Sequence, residues 1–211
     1  MYIAIEGVIG VGKTTLARLL QPTFEAEILL EIFEENPFLS DFYGDRARYA
    51  FQTQIFFLLS RYHQQRRGVK EALEVNPWLI SDYTFEKDRL FAEVNLAGDE
   101  LEMYFKVHEA LAEKITSPDL IVYLRANTDI LMQRIAQRDR PYERKMESSY
   151  IATLNETYES LFANHPSQKV LVINTNNLDF VRSSEDLDFV DHAIRQALKL
   201  SPFQETLPID L

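Results

Sequence analysis

The chain has 211 residues, 46% hydrophobic and 26% charged, which suits one domain with a sizeable core and excludes a disordered chain. It has no cysteine, so disulfides, thiolate zinc sites and cysteine nucleophiles are excluded. The net charge of −11 argues against a nucleic-acid polymer as partner, because such binders carry a basic face.

Short apolar runs at 2–6, 27–32, 78–82, 120–124 and 169–173 read as strands, nearly continuous in apolar residues as expected for parallel strands covered on both faces. Helical periods fill 13–21, 45–67, 99–116, 127–137, 146–163 and 186–199, and in the second of these Phe51, Ile55, Leu58 and Tyr62 form one stripe. This alternation predicts a single α/β domain over residues 1–211: three α/β/α layers around a five-stranded parallel sheet, with ligands beyond the carboxyl ends of the strands. Residues 201–211 carry two prolines and are expected to be irregular. No apolar run reaches the roughly 18 residues of a membrane span, so no membrane partner is expected. The start, Met1-Tyr2-Ile3-Ala4-Ile5-Glu6, lacks the pattern of a secretory signal, and a cytoplasmic location is expected.

The strongest motif follows the first strand. Gly7-Val8-Ile9-Gly10-Val11-Gly12-Lys13-Thr14 fits G-x-x-x-x-G-K-[ST] and leads directly into a helix. Such a loop curls its backbone N–H groups around a β-phosphate, and the helix adds its positive end. Lys13 is then expected to reach the β- and γ-phosphates of ATP, and Thr14, followed by Thr15, to present a hydroxyl to magnesium. A GTPase would need an N-K-x-D element to read guanine, and the chain has none.

Three further features bear on phosphoryl transfer. Trp78-Leu79-Ile80-Ser81-Asp82 is an apolar strand ending in an acid; Asp82 either holds magnesium through water or caps the next helix, and the two roles are compatible. Between 134 and 145, Arg134, Arg138, Arg140, Arg144 and Lys145 outnumber Asp139 and Glu143. This run reads as an arginine lid that neutralises the moving phosphoryl and excludes water, or as a solvated helix end. Glu31 ends the second strand on the side where the phosphate loop opens, and is the candidate general base, a role worth on the order of 10²–10⁴ in rate. Glu34 and Glu35 are its rivals. Gln54 and Arg61, seven apart, share a helix face; they suit hydrogen bonding to a base, or are simply exposed polar residues. Phe51, Phe56 and Phe85 could sandwich a base, but at helical spacing they suit the core equally well.

From residue 2 to about 180 the chain resembles the deoxyribonucleoside kinase family, its bacterial deoxypurine members most of all. The resemblance rests on the phosphate loop, Glu31 with Asn36-Pro37-Phe38-Leu39, Tyr43, Phe51-Gln-Thr-Gln54 with Ser60-Arg61, Asp82 with Asp88-Arg89, and Gln137-Arg138-Asp139-Arg140. It implies transfer of the ATP γ-phosphoryl to the 5′-hydroxyl of a deoxynucleoside, with magnesium, in a helix-mediated homodimer. It further implies Glu31 as base, with Lys13, Arg134 and Arg138 completing the catalytic set. Tyr43 and Glu143 would hold the 3′-hydroxyl, and Gln54, Arg61 and Asp88 would read the base edge. Arg138, Arg140, Asp179 and Phe180 would contact ATP. One departure stands: Asp82-Tyr83-Thr84 replaces the Glu-Arg-Ser of the animal members, so Asp82 keeps a carboxylate while Tyr83 brings no charge. A nucleoside monophosphate kinase, or a non-catalytic ATP-binding regulator, are the other readings.

Overall fold

The computed structural model describes residues 1–163 and 169–200. The expected irregular tail, 201–211, lies outside the described residues. Five strands, β1 (Tyr2–Glu6), β2 (Glu27–Leu29), β3 (Leu79–Ser81), β4 (Leu120–Arg125) and β5 (Val170–Asn174), form one sheet in the order β2-β3-β1-β4-β5. Every pairing is parallel. β1 lies at the centre and is buried along its whole length, which explains its unbroken apolar run. The strand order reverses at β1, so its carboxyl end opens the crevice where ligands bind in such sheets.

Among the described residues eight α-helices accompany these strands: α1 (Lys13–Phe24), α2 (Leu39–Gly44), α3 (Arg46–Val75), α4 (Glu86–Asn95), α5 (Gly98–Ala112), α6 (Thr128–Arg138), α7 (Ser148–Ala163) and α8 (Ser184–Leu198). The stripe on α3 behaves as its spacing predicts: Leu58 and Tyr62 are buried and Phe51 and Ile55 pack beside them in the main core. Yet α3 runs eight residues past the expected end at 67. Gly68 lets the helix pass close to β2, where a Cβ would stand 2.9 Å from Leu29 Cδ1. Beyond it Val69 joins Tyr2, Ala4 and Leu79 in a second small core, with Ala72 and Leu73 packed against it. Asn76, followed by Pro77, ends the helix.

Two differences from the sequence expectation shape the site. β2 stops at Leu29 and not at 32, because it is an edge strand paired only with three residues of β3. Glu31 therefore sits in the loop beyond the strand, its N–H donating to Asp82 Oδ1 at 2.8 Å and not to the sheet. The segment 86–95, for which no helix is expected, forms α4, favoured by Glu86 and Asp88 at its positive end.

Candidate functional site

The loop between β1 and α1 departs from ordinary backbone where its glycines demand it. Gly7 has φ +144°, and a Cβ there would meet the Leu124 carbonyl at 2.4 Å; Gly12 has φ +105°, with Phe180 at 3.0 Å. Val8 and Val11 turn into the core and Val11 N–H donates to the Val8 carbonyl, so the loop is anchored from inside. No side chain caps α1, which leaves the amides of its first turn to an incoming anion. Lys13 Nζ lies over this loop, donating to the Gly7 and Val8 carbonyls at 2.6 and 3.1 Å. Burial, and then the neighbouring Lys87 ammonium, push its pKa down to about 8.

Beneath the loop is a carboxylate that the sequence reading overlooked. Glu6, wholly buried at the end of β1, accepts from Gly7 N–H, from the N–H and hydroxyl of Thr84, and from the Tyr158 hydroxyl. It ties the start of the phosphate loop to the segment after β3. Satisfied by four donors, it is a structural acid.

A cavity of about 280 Å³ opens beside the loop. Lys13, Thr14 and Thr15 line one side of it, with Ile9, Gly10 and Gly12. Asp82 lines the floor, accepting from the Thr14 hydroxyl at 2.5 Å while its other oxygen holds Glu31 N–H. Asp82 thus lies between the phosphate loop and the candidate base, and caps no helix through its side chain: α4 begins after Phe85.

The Glu31 carboxylate faces the same cavity between two cations. Arg61 donates to Oε1 through Nε and Nη2, and Lys87 donates to Oε2 at 2.5 Å. Burial alone would raise the Glu31 pKa, but Arg61 and then Lys87 outweigh it and hold the carboxyl well below the usual carboxylate range. Arg61 also donates to Asp88 Oδ1. Asp88 is fully buried, and burial pushes its pKa up to about 6 against the pull of Arg61. Its Oδ2 has no partner among the described residues, and neither does Gln54 Oε1.

The far wall belongs to the segment after α6. Arg138 and Glu143 pair there, and the Arg140 guanidinium lies 4.1 Å from the Phe33 ring centroid. Tyr142 stacks on Tyr43 at 6.0 Å between centroids. Arg138, Arg140, Tyr142 and Glu143 all line the cavity opposite the loop that carries Glu31 and Phe33. A second hollow lies on the other side of the phosphate loop, between Gly10–Gly12, Gln137 and the 178–181 turn, with Asp179 and Phe180 in its wall.

The chain is similar to known proteins. Residues 3–199 fit the deoxynucleoside kinase family model. The chain belongs to the deoxynucleoside kinase family. It is 35% identical to a deoxyguanosine kinase of Bacillus subtilis over 93% of this chain and 97% of that one. It is 34% identical to a deoxyadenosine kinase of Dictyostelium discoideum, covering 85% of this chain and 74% of that one. The fold matches the deoxyadenosine kinase of M. mycoides with bound dATP at a TM-score of 0.79 and 27% identity, over 92% of this chain and all of that one. This deoxynucleoside kinase is accordingly an ATP-dependent enzyme that phosphorylates deoxynucleosides.

Within the kinase, the expected residues divide. Glu31, Tyr43, Arg61 and Glu143 come together in the main cavity with Lys13, Thr14, Asp82, Arg138 and Arg140. Gln54 and Asp88 are buried behind its wall and do not line it. Arg134, expected in the catalytic set, is placed elsewhere. Its guanidinium donates to the carbonyls of Val11, Thr175 and Leu178 and to the Thr175 hydroxyl, so it braces the phosphate loop against the turn after β5. The three aromatics weighed from the sequence are also not in the cavity: Phe85 stacks on His108, and Phe33, Phe57 and Phe91 form the apolar lining instead. Lys87 is the cation the sequence reading missed. In the sequence it stands five residues after Asp82, with no motif of its own. Tyr83 does point away from the cavity, its hydroxyl donating to Gln64.

Proposed function

We propose that the chain is a single-domain deoxypurine kinase in which Glu31 accepts the proton of the nucleoside 5′-hydroxyl as that oxygen attacks the ATP γ-phosphorus. The observation that carries this is the meeting of a phosphate loop and a buried, cation-held carboxylate in one lined cavity. The loop amides and Lys13 hold the β- and γ-phosphates. Arg138 and Arg140 close from the lid side, where they neutralise charge and exclude water. Arg134 acts through the loop it braces. Asp179 and Phe180, in the second hollow, meet the adenine of ATP.

Tyr43 and Glu143 take the 3′-hydroxyl, and the nucleoside base lies against Phe33, Phe57 and Phe91. Arg61 meets its edge. The orphaned oxygens of Gln54 and Asp88 support acceptors placed one layer behind, reached through Arg61 or water. A purine is favoured because the relatives named above are deoxyguanosine and deoxyadenosine kinases.

Magnesium fits this site. The Thr14 hydroxyl and Asp82 carboxylate already converge, and a hard ion that keeps most of its waters needs only such a pair plus substrate phosphates. Thr14 and Asp82 would hold the ion there, and its charge would offset that of the nucleotide's phosphates. A helix-mediated homodimer, as the family resemblance implies, would be tested by light scattering. No described helix is long and apolar enough to cross a membrane, and we place the enzyme in the cytoplasm.

The deciding experiment is a panel of the four deoxynucleosides, their ribo-counterparts and their monophosphates, with ATP and magnesium. Deoxyguanosine or deoxyadenosine should be turned over fastest. Preference for any monophosphate would overturn the acceptor assignment.

A further inference from the structure

The cations around the main cavity differ in how fully they are engaged. Arg61 is held by Glu31 and by Asp88. Arg138 lies on both oxygens of Glu143, and Arg140 stands against Phe33 and 3.7 Å from Glu143. Lys87 is different. Its ammonium carries three donors, and among the described residues its hydrogen-bond acceptor is a single atom, Glu31 Oε2 at 2.5 Å. The side chain is only 7% exposed, so bulk water does not readily answer the other two donors. The Phe91 ring, 5.7 Å from Nζ, offers a weak cation–π contact in place of a hydrogen bond.

The position of this ammonium matters as much as its spare donors. Lys87 lines the cavity that Lys13, Thr14 and Asp82 also line. Its partner Glu31 is tied through Asp82 to Thr14, in the first turn of the helix that follows the phosphate loop. Lys87 is also close enough to Lys13 to be the second cause, after burial, of that lysine's lowered pKa. Two partly desolvated cations facing one hollow repel each other until an anion enters between them.

We propose that Lys87 is a catalytic residue: its ammonium leaves Glu31 Oε2 when the acceptor hydroxyl enters, and contacts the oxygens of the phosphoryl group in flight. The inference rests on the kinase reading above, with Glu31 as base. In the step, the 5′-oxygen–phosphorus bond forms as the bond from phosphorus to the β,γ-bridging oxygen breaks. The hydroxyl proton passes to Glu31, and the electron pair of the broken bond leaves with ADP. Lys87 keeps its protons and offsets charge on the equatorial oxygens. The same movement frees Glu31 Oε2 to accept from the hydroxyl.

The test is steady-state kinetics of wild type, Lys87→Met and Lys87→Arg between about pH 5 and 9, with ATP affinity measured by calorimetry. Lys87→Met should lose about 100-fold or more in kcat while the nucleoside KM and the ATP Kd stay within about threefold. Lys87→Arg should recover about tenfold or more of that kcat at every pH in this range. Lys87→Gln, read in the same way, replaces the methionine variant if that does not fold. A neutral variant with kcat within threefold of wild type, or with a loss carried by KM alone, overturns the proposal. Wild type inert toward every nucleoside would instead sink the kinase reading, so the two failures are distinct.

Discussion

Arg138 Nη2 lies 2.6 and 2.7 Å from the two carboxylate oxygens of Glu143, so a lid cation assigned to ATP and an acid assigned to the sugar hold each other. Glu143 is buried, whereas the Arg138 side chain is about one-third exposed. The pair therefore joins a buried acid to a partly exposed cation at the cavity wall.

Glu143→Ala should weaken the nucleoside selectively. We expect its KM to rise about tenfold or more, as for a lost hydrogen bond to a charged group, with the ATP Kd within about threefold. Calorimetry with each ligand separately checks this. An equal loss for ATP would remove Glu143 from the sugar pocket.

Glu31→Gln keeps the shape of the side chain and removes the proton acceptor. Turnover should fall by about 100-fold or more with ATP affinity nearly intact. Rapid-quench measurement of a single turnover reads the chemical step directly. An unchanged rate would reassign the base.

Arg61 neutralises two buried acids at once, so Arg61→Met should destabilise the fold by about 3–5 kcal/mol, the range for breaking a buried ion pair. Arg89→Met, which breaks a half-exposed helix pair with Glu93, should cost about 1 kcal/mol or less. Urea titrations of the two variants side by side make the comparison. Similar midpoints would mean that the Arg61 network contributes no more than the surface pair.

Lys13 supplies a pH signature. Its pKa stands at about 8, against 10.5 for a free lysine side chain, so between these values the folded protein carries it neutral. A bound triphosphate favours the charged form and raises that pKa. ATP binding should then take up close to one proton at about pH 9 and almost none at about pH 6.5. Calorimetry in buffers of different ionisation enthalpy reads the uptake. Uptake equal at the two pH values would place the titrating group elsewhere.

What could be read from the chain alone was what short spacing encodes. The phosphate loop is eight consecutive residues whose glycines and lysine act where they stand. The buried strands announce themselves as apolar runs, and the α3 stripe as a 3.6-residue period. The network Glu31–Arg61–Asp88–Lys87 has no such local signature. Its outermost members, Glu31 and Asp88, stand 57 positions apart, and in sequence Lys87 is indistinguishable from any charge on an amphipathic helix. Only the parallel sheet, by bringing the ends of β2 and β3 to one edge beside the phosphate loop, decides which charges meet. The same packing buried Glu6 and turned Arg134 from the phosphates to the backbone. Local periodicity is set by each segment's own geometry, whereas a shared cavity is set by which segments become neighbours.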